Sequence, residues 1–79
     1  MTIFSEILVY PDGETQEAAQ KLQINQLVDI NGIPLNLPLP TLKMIVYRVF
    51  KITVHESRGE NTKRYHLELV KREEMLDYV

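Results

Sequence analysis

The sequence has no cysteine. That absence excludes disulfide scaffolds, thiolate zinc sites and cysteine nucleophiles together. No apolar run approaches the roughly 18 residues a membrane span requires. No basic-then-apolar signal stands at the start, so a cytoplasmic location and no membrane partner are expected. Serine is scarce: only Ser5 and Ser57 occur, neither in a Gly-x-Ser-x-Gly setting that would activate a hydroxyl. Gly13, Gly32 and Gly59 are the only glycines. Each stands in a separate turn, so no glycine cluster cradles a phosphate. A strong net charge is also missing. The formal value is −2, and bulk electrostatics favours neither nucleic acid nor a membrane surface.

What remains is one small globular unit. Seventy-nine residues hold a single domain, and 44% apolar with 25% charged residues is ordinary for a folded chain. A domain of this size buries only about 60–65% of its unfolded surface, so its core is small.

The charge is unevenly spread. Residues 1–42 carry a net −4, residues 43–72 a net +5, and residues 73–79 a net −3. The basic stretch reads either as a hairpin that meets an anionic partner or as a solvated face complementing the acidic half of the same molecule.

Local patterns predict a mainly β chain, α+β by strict count. Ile3–Tyr10 is rich in β-branched and aromatic residues and ends at Pro11-Asp12-Gly13, which marks a first strand and a turn. Glu14–Leu22 is built of helix formers with Asp12 before them, which predicts a short helix in the first crossover. Its narrow apolar stripe leaves an ordered loop as the alternative. Asn31-Gly32 between alternating apolar residues predicts a type I′ hairpin. That turn pairs Ile30 with Ile33 and Val28 with Leu35, and collects Val28, Ile30, Ile33, Leu35 and Leu37 on one face. Pro34 places its strand at a sheet edge. Pro38-Leu39-Pro40 reads as a rigid corner between layers, with a ligand for a proline-recognising domain as the other reading.

Leu42–Glu56 and Thr62–Lys71 form the second and longest hairpin. A turn at Gly59-Glu60 pairs Val54 with Tyr65, Ile52 with Leu67 and Phe50 with Leu69 on an inner face. A shift by two residues keeps the same faces but loses the pairing of Lys51 with Glu68. Arg72–Val79 reads as one helical turn folded onto the sheet or as a further strand end. The resulting fold class is a small five-stranded antiparallel rolled sheet, or a partly open SH3-like barrel, with one short helix in the first crossover.

Catalytic and metal chemistry find little support in these residues. His55 and His66 share the outer face, but Arg64 opposite His55 and the pairing of Lys51 with Glu68 argue against a bound cation. Glu73-Glu74 are neighbours in a terminal segment and read as solvated. No enzyme activity, metal or cofactor is expected. Arg48 interrupts an apolar face, either at the rim with its stem packed or paired with an acid such as Asp29 or Glu6. Ile45, Tyr47, Val49 and Val70 fall together as an apolar patch that either the first strand or the helix covers, or else a protein partner or second copy does. The leading functional expectation is therefore a noncatalytic protein-interaction module able to self-associate as a homodimer. The alternative is nucleic-acid binding by the basic hairpin of residues 51–72, with Arg58, Lys63, Arg64, Lys71 and Arg72 as anion contacts.

Overall fold

A computed structural model describes residues 3–79. Five strands form one sheet in the order β2-β1-β5-β4-β3, curled into a half-barrel. They are β1 (Ile3–Val9), β2 (Thr15–Glu17), β3 (Leu27–Val28), β4 (Tyr47–Ser57) and β5 (Glu60–Leu69). A four-residue helix, α1 (Arg72–Met75), and a 3-10 turn at Leu76–Tyr78 end the chain. No helix among the described residues is long and apolar enough to cross a membrane.

The expected architecture holds as a small rolled β-sheet, with three corrections. First, the sheet is mixed. β1 runs parallel to β5, Ile3 opposite Glu60 through Val9 opposite His66, while the other pairings are antiparallel. Second, the helix lies at the C-terminus, not in the first crossover. Residues 14–22 give strand β2 and irregular chain instead. The turn at Pro11–Gly13 folds the chain straight back, so β2 pairs with the free edge of β1 through Ile7–Val9. That ladder outweighs the weak helix propensity of so short a segment. Third, both hairpin registers differ from the expected ones.

In the first hairpin the loop has three residues rather than two. The Asp29 N–H donates to the Ile33 carbonyl and the Gly32 N–H to the Asp29 carbonyl, with Gly32 at φ 80. This is a type I turn followed by a left-handed glycine, the second common hairpin solution. The Asp29 carboxylate selects it by accepting from the N–H groups of Asn31 and Ile33, at 2.8 and 3.0 Å. Val28 then bridges Pro34 rather than Leu35, and Ile30, Ile33 and Leu37 face water. Pro34 does lie at the sheet edge.

In the second hairpin the turn residues are Arg58 and Gly59, closed by Ser57 opposite Glu60. Ile52 therefore faces Tyr65, the two-residue shift that keeps the faces. A β-bulge between Val49 and Lys51 then changes them. Below it, Val49 opposes Leu67 and Tyr47 opposes Leu69. Phe50 is expelled and is 48% exposed, while Val54 and Leu69 also face solvent.

The core has two parts. Leu8, Leu22, Val28, Val49, Tyr65 and Leu67 fill the concave side. Leu27, Leu39, Val46, Val70 and Met75 form a second cluster under the C-terminal turn. Successive residues Leu27 and Val28 feed opposite clusters, as the alternation of a strand requires. The proline corner delivers Leu39 to the second cluster, and the Leu39 N–H donates to the Tyr78 carbonyl at 2.7 Å.

Candidate functional site

The apolar patch expected on the second hairpin is not a surface. Val49 and Val70 are buried, one in each cluster. Tyr47 is half-buried with its ring edge-on to Tyr10, and Ile45 alone of the four is exposed. The bulge at Phe50 is the cause. It turns Val49 inward and moves the outward apolar side chain one residue along.

The five basic candidates are likewise dispersed. Arg58 stands exposed at the hairpin tip. Lys63 lies on the concave side, its ammonium 5.4 Å from the Tyr65 ring centre. Arg64, the next residue, takes the convex side by alternation. Lys71 and Arg72 are exposed at the hairpin's foot, at the start of α1.

Arg48 is an internal tie. Its Nε donates to Glu68 at 2.8 Å, its Nη2 also reaches Glu68, and its Nη1 donates to Glu74 of α1 at 2.8 Å and to the Tyr78 hydroxyl at 3.4 Å. These bonds, Glu68 first, hold the guanidinium pKa above its ordinary value. The partners come from β5 and the C-terminal turn, not from Asp29 or Glu6.

His66 bonds Thr53 at 2.9 Å, and its ring centre lies 6.4 Å from that of Phe50. His55 opposes Thr62 whereas His66 opposes Lys51, so the observed register separates the imidazoles along the hairpin. Among the described residues no group of three or more histidine and acidic side chains is placed to hold a metal ion.

The feature that local patterns did not expose is the open end of the half-barrel. Leu8 and Tyr65 close the concave side at mid-sheet. Beyond them β1 and β5 continue, and a groove of about 750 Å³ opens between Phe4, Glu6, Lys21, Val54, Asn61 and Lys63. Phe4 is 74% and Val54 60% exposed there. The Tyr65 hydroxyl donates to Glu6 at 2.8 Å and fixes the groove's floor. Burial, followed by this bond to an acid, raises the Tyr65 pKa.

Beside the groove runs an unpaired sheet edge. β3 covers β4 only at Tyr47 and Arg48. The preceding loop covers Val49, whose N–H donates to Gln26 and whose carbonyl accepts from Asn25. From Phe50 to Glu56 the outer side of β4 has no partner strand among the described residues. The sequence signal for this edge was the length of the second hairpin against the shortness of everything available to flank it.

No curated protein and no solved structure matches this chain. A family model does match, over residues 3–78. The chain thus belongs to the family described as uncharacterised Treponema protein.

Proposed function

We propose that this domain is a noncatalytic protein-interaction module that receives an extended polypeptide segment at the open end of its half-barrel. The observation that carries the reading is the unpaired edge of β4 from Phe50 to Glu56, with exposed Val54 on it and exposed Phe4 across the groove on β1. An incoming strand gains main-chain hydrogen bonds from such an edge, and pockets on one face give it specificity. Folded proteins ordinarily blunt a long open edge, because it recruits other strands. Here the centre of the edge carries apolar Ile52 and Val54, with Lys51 and Glu56 near its two ends and Lys63 opposite Val54 on the neighbouring strand.

A photo-activated crosslinking residue at position 54, with a control at exposed Lys71, tests the reading in the native cell. The expected result is a protein adduct from position 54 that the control does not give. Equal labelling from both positions, or none from position 54, would overturn it.

A further inference from the structure

The open stretch of β4 has a definite length and centre. It begins after Val49, whose two backbone groups are taken by Asn25 and Gln26. It ends where Ser57 and Glu60 close the turn. Thr53 is its midpoint. Hydrogen bonding alternates along a strand. Ser57 faces β5 across a two-residue turn, so His55, Thr53 and Lys51 also direct their backbone groups to β5. Ile52, Val54 and Glu56 direct theirs outward.

We infer that the occupant of this edge is a second copy of the chain, paired β4 to β4 in antiparallel fashion about a twofold axis through Thr53. The inference rests on the interaction-module reading above and names its partner. Two observations select this occupant and register. The axis through Thr53 puts Ile52 of each copy opposite Val54 of the other, matching outward backbone groups and apolar side chains in both halves. The pairing fills each open stretch from end to end. Moving the axis to Ile52 would drive Glu56 against Arg48, where β3 already pairs. Moving it to Val54 would set Ile52 against Glu56. A twofold contact of this kind is closed, giving a dimer rather than a fibre.

Sedimentation equilibrium from micromolar to millimolar protein tests the inference. The expected result is a concentration-dependent species of twice the 9.2 kDa chain mass. Val54→Pro removes an outward N–H while sparing the β4–β5 ladder, and is expected to weaken association at least tenfold. Val54→Lys, which keeps the backbone donor but points a charge into the seam, is expected to do the same. Far-UV circular dichroism verifies that each variant is folded. Wild type that remains at 9.2 kDa throughout, or a dimer that folded variants leave intact, would overturn the twofold edge. A monomer in solution combined with a position-54 adduct to a different protein would overturn self-pairing alone and leave the module reading standing.

Discussion

At the scale of single residues, Gly32 is more constrained than the turn that suggested it. Its φ of 80 lies in the left-handed region, which costs a side chain about 1–2 kcal/mol. A Cβ there would also collide with the Leu8 Cδ1, in the middle of the first cluster. Gly13 has a similar φ of 91 but open space around it. Gly32→Ala therefore carries the overpacking cost, about 1–3 kcal/mol, on top of the backbone cost, whereas Gly13→Ala carries the backbone cost alone. Urea unfolding of the two variants should place Gly32→Ala clearly below Gly13→Ala. Equal midpoints would mean that the hairpin does not press on Leu8. The chemistry of Asp29 belongs to the same scale. Asn-Gly alone calls for a two-residue turn. The Asp29 carboxylate two positions before Asn31 adds a competing solution that needs only one left-handed residue.

At the scale of elements, Arg48 joins β4, β5 and the C-terminal turn. A helix of four residues has almost no stability of its own, so α1 stays in place through Met75 in the second cluster and through the bond from Arg48 to Glu74. Arg48→Ala should cost about 1–2 kcal/mol, the carboxylates being partly solvated. Arg48→Lys should recover little of that, because one ammonium cannot reproduce the fork that reaches two carboxylates and a hydroxyl. Amide exchange at Met75–Tyr78 should rise in both variants while β5 stays protected. Uniform loss of protection would show that the tie acts on the whole sheet instead. This element also marks how far the sequence could be read. β1, β4 and β5 were legible because each has a long apolar alternation closed by strong turn residues. The bulge was not, since Val49 and Phe50 are both apolar and either fits the inner face. The parallel contact of β1 with β5 joins segments nearly a whole chain apart, and no local period reports it. The candidate site depends on those two illegible features: the bulge ended the expected patch, and the β1–β5 contact built the groove. The open edge itself follows from the length of β4, which the alternation from Leu42 to Glu56 did foreshadow.

At the scale of the whole molecule, the two clusters share strands. Leu27 and Val28, like Val46 and Val49, alternate between them, so loss of one cluster frees the strands that hold the other. A single cooperative transition follows, and alkaline pH gives a way to drive it. Tyr65 is fully buried at the centre of the concave cluster. Burial first, and then its bond to Glu6, raises its phenol above the ordinary 10.0. Burial likewise raises Tyr10, helped by Tyr47 and Asp29. Below pH 10 these phenols are protonated in both folded and unfolded chains, so their contribution is fully present. As pH climbs past 10 the unfolded chain ionises first. It then binds fewer protons than the native one, and stability falls until the folded phenols ionise as well. Tyr65→Phe should be less stable than wild type at neutral pH, having lost the bond to Glu6, by about 1 kcal/mol. It should lose less stability than wild type as pH rises beyond 10, so the two denaturation curves converge. Urea midpoints measured by circular dichroism from pH 7 to 11.5 check this. Parallel decline of the two proteins would remove Tyr65 from the alkaline transition and leave Tyr10 to account for it.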